Sequence, residues 1–217
     1  MKTITVKGVG TASTPPDLTV ISLNIVEKAP EYVDSVNGAN ERIEKLQAAI
    51  ATVGFAKDDL KTLSFNARTN YENYRDENGV YNQRFAGYLC EYHLKLSMGF
   101  DNKRLSQTLE AIANSGANAE QSIAFTVKEP EKVSARLLKA ATENAREKAE
   151  VLCAASGVTL GDLVNIEYNW NDILIHSASV YSERERGISA VPLAATPEFT
   201  PDDIRSSDTA TFVWEIK

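Results

Sequence analysis

The sequence predicts an α+β fold, an antiparallel-rich sheet with helices packed on it, and three observations carry that expectation. From Phe85 to Met98, Tyr88, Cys90, Tyr92, Leu94, Leu96 and Met98 alternate with Glu91, His93, Lys95 and Ser97. That period of two describes a strand with one packed and one wet face. After Pro130, apolar or small residues recur at Val133, Leu137, Ala141, Ala145, Ala149 and Leu152, near the helical period. Strand and helix patterns also follow one another as strand, helix, strand, strand, and the order occurs twice. Asn78-Gly79 marks a hairpin, which pairs the strands on either side of it antiparallel.

In chain order, Ile4 and Val6 suggest a short edge strand. Gly8-Val9-Gly10 through Thr14-Pro15-Pro16 suggests a turn. The two glycines resemble half of a dinucleotide fingerprint, but Ser13 stands where the third belongs and a strand follows, so the phosphate-loop reading fails. Asp17 to Val26 alternates, with Thr19, Ile21, Leu23 and Ile25 facing one way and Ser22 and Asn24 the other. Pro30 opens a helix with Val33, Val36, Ile43, Leu46, Ile50 and Val53 on one face, closed by Gly54. Leu60 to Ala67 reads as a strand with Leu63 and Phe65 on its buried side. Asn70 to Arg84 is polar and tyrosine-rich, and Asn78-Gly79 marks a hairpin turn.

Asp101 is placed to cap a second helix carrying Leu105, Leu109 and Ile112 and stopping at Gly116. Ile123, Phe125 and Val127 form a strand that feeds the central helix. Pro130 suits a helix start because its missing N–H falls among donors without partners there, and Glu129 and Glu131 suit the dipole. Ala141, Ala145 and Ala149 leave a stripe with almost no bulk, so this helix can lie close on whatever it covers. Gly157 ends it. A strand with Leu163, Ile166 and Tyr168 follows, then an irregular stretch from Asn171 to Asp203 containing Pro192, Pro197 and Pro201. The last strand aligns Ala210, Phe212, Trp214 and Ile216.

Gly54, Asp59-Leu60, Leu63 and Phe65 recur at equal offsets as Gly157, Asp162-Leu163, Ile166 and Tyr168. Duplication and coincidence both account for five matches. Duplication makes the halves about 17–98 and 119–217, linked by a helix over 101–115, and makes 70–84 and 171–203 equivalent hairpin tips.

The net charge of −7 and pI near 5.0 argue against nucleic acid or anionic lipid as the main partner, since both demand a basic surface. No segment approaches the ~18 consecutive apolar residues a transmembrane helix needs. MKTITVKGVG carries one lysine and no apolar run, so the sequence as it stands reads as cytoplasmic, without a signal peptide. A mature periplasmic or envelope protein with its leader removed would look the same. Cys90 and Cys153 are far apart and neither has a CxxC neighbour, which disfavours a disulfide framework or a zinc site.

At this point the chain resembles a known family. VKGVGTASTPPDLTVISLNI looks like the opening of SIMPL-domain proteins, a family of unknown function that includes immunogenic periplasmic or outer-membrane proteins. Also similar are DDLKT (Asp58 to Thr62), the Gly87-Tyr88 strand start, SGAN (Ser115 to Asn118), ATENAREKAEVLCAASGVTLGDLVNIEY and the ending TATFVWEIK. The resemblance covers essentially all of residues 1–217, in the family's order. It implies a single SIMPL-like α+β domain, no established catalytic residues, frequent export in Gram-negative bacteria, an association of some members with oxidative-stress tolerance, and at least one large ring- or channel-like homo-oligomer. The sequence departs from exported members in showing no leader.

No residue pattern defines a chemistry. His93 falls on the polar strand face between Glu91 and Lys95, and His176 sits in the long irregular stretch without a carboxylate or cysteine at metal-ligand spacing. Cys90 belongs to a buried strand face and Cys153 to a helix among alanines, both read as core thiols. Asp58 and Asp59 precede a strand and read as turn or cap residues. Hydrolase, zincin, Walker and paired-carboxylate motifs are missing, so the expectation is a non-enzyme with no cofactor or metal.

The two irregular stretches are the candidates for function. Ile173, Leu174, Ile175 and Phe199 in one, and Tyr71, Tyr74 and Tyr81 in the other, are candidate contacts in a homo-oligomer, because tyrosine and desolvated apolar groups favour interfaces. The alternatives are a small-molecule or peptide binding module, using a groove between helices and an exposed sheet edge, and a thiol-based redox protein using Cys90 or Cys153.

Overall fold

A computed structural model describes residues 2–169, 181–182 and 199–217. Its elements are β1 (Thr3–Thr14), β2 (Leu18–Ala29), α1 (Tyr32–Thr52), β3 (Leu60–Arg75), β4 (Tyr81–Gly99), α2 (Asn102–Asn114), β5 (Glu120–Thr126), α3 (Pro130–Ala155), β6 (Leu160–Tyr168), β7 (Tyr181–Ser182) and β8 (Ile204–Ile216). Two sheets result, ordered β1-β8-β6 and β3-β4-β2-β5-β7. The described fold is α+β with antiparallel pairing, as the alternation and the element order predict.

The chain gathers into two compact units, one holding β1, α3, β6 and β8, the other holding α1, α2 and the five-stranded sheet. In the second unit Ile21, Leu23 and Ile25 of β2 and Leu94, Leu96 and Met98 of β4 form the inner face, covered by Leu46 and Ile50 of α1. Leu105, Leu109 and Ile112 of α2 and Ile123 and Phe125 of β5 complete this core. Each fully buried aliphatic side chain contributes about 1.5–3 kcal/mol. Asp101 caps α2 as expected, its carboxylate accepting the Arg104 N–H at 2.9 Å.

In the first unit the alanine stripe meets a matching pair of glycines. Gly8 and Gly10 are not in a turn, as the sequence suggested, but inside β1, which pairs with β8 along its whole length from Thr3↔Glu215 to Thr14↔Ile204. A Cβ on Gly8 would stand 2.0 Å from the Ala141 carbonyl oxygen, and one on Gly10 2.0 Å from that of Leu137. The missing side chains are what let α3 lie backbone-close on β1. Val6, Ala145, Ala149, Ala210, Phe212 and Trp214 fill the adjoining core, with Phe212 and Trp214 stacked at 5.4 Å.

Several faces differ from expectation. Val33 is exposed on α1, whose buried stripe runs through Ser35, Ala39, Leu46 and Ile50. On α3, Leu152 is exposed and Cys153 takes the buried place, because Ala149 to Cys153 is the full helical step. Leu63 and Phe65 are exposed for two reasons: the register slips between Thr62 and Ser64, and β3 is an edge strand beyond the strands that α1 covers. Leu163 and Ile166 are exposed on β6, an edge with two register shifts of its own.

The two units share a topology that the repeat only partly describes. In one, a strand (β2) is followed by a helix (α1) and two strands, ordered β2-β4-β3. In the other the order is β1-β8-β6 beneath α3. Yet β5, which immediately precedes α3, joins the five-stranded sheet beside β2, and β1 supplies the strand beneath α3. The units therefore run differently from the halves 17–98 and 119–217. Gly54 (φ +83°) and Gly157 (φ +68°) both end their helices left-handed, but Leu60 is buried and Leu163 exposed.

Candidate functional site

Two features of the five-stranded unit could act on something outside it: a projecting hairpin and a groove across the sheet. Residues 70–84 are a paired arm rather than an irregular loop. The ladder continues through Tyr71↔Phe85, Glu72↔Arg84, Asn73↔Gln83, Tyr74↔Asn82 and Arg75↔Tyr81. Asn78-Gly79 is the turn, with Gly79 at φ +82°. Asp76 organises it: one carboxylate oxygen accepts the N–H groups of Asn78 (3.0 Å) and Val80 (2.9 Å), the other accepts the Asn82 amide at 2.9 Å. The Arg75 guanidinium closes it by donating to the Gly79 carbonyl at 2.9 Å.

This stiff arm shows its aromatic surface to solvent. Tyr71 is 56%, Tyr81 76% and Phe85 52% exposed on one face of the arm, and Tyr74 is exposed on the other. Edge-on ring contacts run from Tyr71 to Phe85 (5.9 Å), Phe85 to Tyr88 (5.5 Å) and Tyr88 to Tyr32 on α1 (5.8 Å). Arg75 stands over the Tyr81 ring and Arg84 over that of Tyr74, which presents the rings at low entropic cost.

The groove crosses the sheet face opposite α1 and has a volume near 520 Å³. Ser64 of β3 and Asn24 of β2 both pair with His93 of β4, so the three share one row, and Glu120, Gln121 and Ser122 of β5 line the same groove. His93 is on the polar face, as its alternation requires, with Nε2 at 3.6 Å from Glu91 Oε1. That oxygen also accepts the Asn24 side-chain amide at 3.3 Å.

Of the other candidates, Phe199 packs inside this unit, 5.9 Å from Phe125, and its N–H donates to Asn102 Oδ1 at 3.2 Å. His176, Ile173, Leu174 and Ile175 lie outside the described residues. Cys90 and Cys153 are free and buried. Burial, and then the neighbouring Glu27 carboxylate, push the Cys90 thiol above its ordinary pKa. Burial raises Tyr92, and the hydrogen bond to Asp208 raises Tyr168. Among the described residues no three His, Cys, Asp or Glu side chains are grouped to hold a metal, and no helix is long and apolar enough to cross a membrane.

Arg42 on α1 escaped the sequence reading. Its guanidinium donates to the carbonyls of Ala117 (2.6 Å), Asn118 (2.6 Å) and Val26 (2.7 Å) and to Glu27 (2.9 Å). Nothing in its spacing distinguishes it from a solvated helix arginine.

The fold and these two surfaces define an α+β protein with a presented aromatic arm. Within that class, the chain belongs to the SIMPL family, described as a protein family of unknown function (DUF541), whose model matches residues 4–214. It is similar to the 26 kDa periplasmic immunogenic protein of Brucella melitensis, at 26% identity over 75% of this chain and 65% of that protein. It is also similar to the uncharacterized protein YggE of Escherichia coli K12, at 20% identity over 76% of this chain and 65% of that protein. The chain thus aligns with just under two thirds of the length of these relatives. A crystal structure of an uncharacterized conserved protein from Listeria innocua matches at 10% identity and TM-score 0.20, over 97% of this chain and 92% of that one.

Proposed function

We propose that this chain is a non-catalytic, self-assembling protein of the cell envelope, and that the β3–β4 arm makes the contacts between copies. The carrying observation is the exposure of Tyr71, Tyr81 and Phe85 together on one face of a hairpin whose turn Asp76 organises, with Tyr74 exposed on the other face. A preorganised aromatic surface loses little entropy on association, and tyrosine is enriched in interface cores. The register shifts between Thr62 and Ser64 and between Thr69 and Tyr71 interrupt the β3 edge, which disfavours open-ended strand pairing and leaves side chains to choose the partner. The Brucella relative's printed name supports a periplasmic setting. Support of oxidative-stress tolerance is the role proposed for the assembly.

Light scattering after size exclusion at micromolar concentration tests assembly. The wild-type chain is expected to run as a multimer, and the triple variant Tyr71→Ser, Tyr81→Ser, Phe85→Ser as a monomer. Tyr71→Ser and Phe85→Ser also remove ring contacts, so each should cost about 0.5–1.5 kcal/mol of folding stability. A monomeric wild-type chain sinks the proposal. Cells carrying the monomeric variant should then survive peroxide as poorly as cells without the protein.

The thiol-redox alternative predicts fast alkylation of the native protein. Burial of both thiols, and the raised pKa of Cys90, favour the opposite. Labelling of the native chain at pH 8 is expected to be at least ~100-fold slower than in denaturant, because reagent reaches the thiols only through opening. Equal rates would revive the redox reading.

A further inference from the structure

We infer that α3 guards the outer edge of β1, and that this guard stops the three-stranded sheet of one copy from adding β6 of a second. The inference goes beyond the arm and does not rest on self-assembly through it. Among the described residues β1 pairs only with β8, so its other side is an edge of 12 residues. A bare edge of that length is a template for another strand. In an antiparallel ladder, alternate residues turn both backbone groups away from the partner. The Val9 N–H and the Lys7 carbonyl point outward in this way, and both are taken. Asn144 Oδ1 accepts the Val9 N–H at 3.1 Å, and Lys148 Nζ donates to the Lys7 carbonyl at 3.3 Å.

Asn144 and Lys148 share one flank of α3, and they reach the edge because the helix lies backbone-close on Gly8 and Gly10. Arg136, about two turns earlier on that flank, donates to the Thr14 hydroxyl. The seam therefore runs from Lys7 to Thr14, and Lys148 leaves a charge on it, itself a deterrent to strand addition. The strand most suited to the edge is β6. It is the opposite edge of the same sheet, and α3 packs mainly on β1 and β8. Leu163, Val164 and Ile166 are exposed on β6, and its register with β8 is unbroken from Asn165 to Tyr168. Neighbouring strands lie about 4.8 Å apart, whereas packed helices need about 8–10 Å. That excludes β1 of a second copy, which carries its own α3, but admits β6. Joining β1 to β6 of the next copy leaves the same two edges open at the ends, so the sheet would grow without closing.

The test starts from the arm variant Tyr71→Ser, Tyr81→Ser, Phe85→Ser and adds Asn144→Ala and Lys148→Ala. Alanine is the better helix former at both positions, so α3 is kept. Hydrogen exchange of the Val9 amide should quicken about tenfold. Light scattering should show a mass that climbs with concentration and reaches no plateau, beyond anything its parent shows. Ile166→Lys, which places a charge on the β6 edge, should abolish that growth. Three outcomes would overturn the inference: scattering no different from the parent, Val9 exchange unchanged, or growth that persists with Ile166→Lys. Because the comparison is with the arm variant itself, failure here and failure of assembly through the arm are read separately.

Discussion

Gly8→Ala is expected to destabilise the unit built on α3 by about 3 kcal/mol or more, a large effect for one methyl group. The added carbon would stand 2.0 Å from the Ala141 carbonyl oxygen and 2.8 Å from the Ala145 methyl. Neither neighbour can rotate away: one is helix backbone, the other a side chain with no torsion to adjust. Relief requires α3 to lift from β1, which opens the core around Ala145, Ala149, Phe212 and Trp214. Gly54→Ala is the comparison, since Gly54 has left-handed φ but open space around its Cβ position. It should cost only about 1 kcal/mol. Urea unfolding followed by fluorescence reports on the site, because Trp214 lies in the affected core. Equal losses in the two variants would mean that α3 is not held against β1 by the glycine–alanine contact.

The second large effect is expected at Arg42. Arg42→Met removes donors from three backbone carbonyls that join α1 to β2 and to the segment before β5. The side chain is largely buried, so the carbonyls of Ala117 and Val26 lose partners that water replaces poorly. About 3 kcal/mol should be lost. Arg42→Lys should recover little, because one ammonium cannot reproduce the planar fork that reaches several acceptors. Glu27→Gln should cost under about 1 kcal/mol, since that carboxylate is partly solvated and its ion pair is screened. Were Glu27→Gln as damaging as Arg42→Met, the ion pair rather than the carbonyl bonds would hold this junction.

The aromatic arm was legible in part. Tyrosines 71, 74 and 81 and the Asn78-Gly79 turn are local features, and local chemistry determines a hairpin tip. That the flanking residues continue as paired strands depended on the match between β3 and β4, which no single segment contains. The groove was not legible at all. It requires Ser64, His93 and Asn24 in one row with β5 alongside, and alternation along a strand says which face a residue takes but not which residue sits beside it. His93 on the polar face was therefore foreseeable, and its neighbours were not.

By itself, the sequence determined the elements and most of their buried stripes. Helical and strand periodicities, the Asp101 cap, Pro130 at a helix start and glycines at helix ends act within a few residues. It also determined that α3 could approach a partner closely, since three alanines at helical spacing carry no bulk whatever they meet. Only the tertiary structure decided that the partner is β1 and that Gly8 and Gly10 are contacts rather than a turn. It likewise decided that β5 joins the sheet of β2 while β1 pairs with a strand some two hundred residues away. The physical reason is that strand pairing and helix docking are chosen among competing surfaces of similar local pattern, and only global burial and steric fit distinguish them.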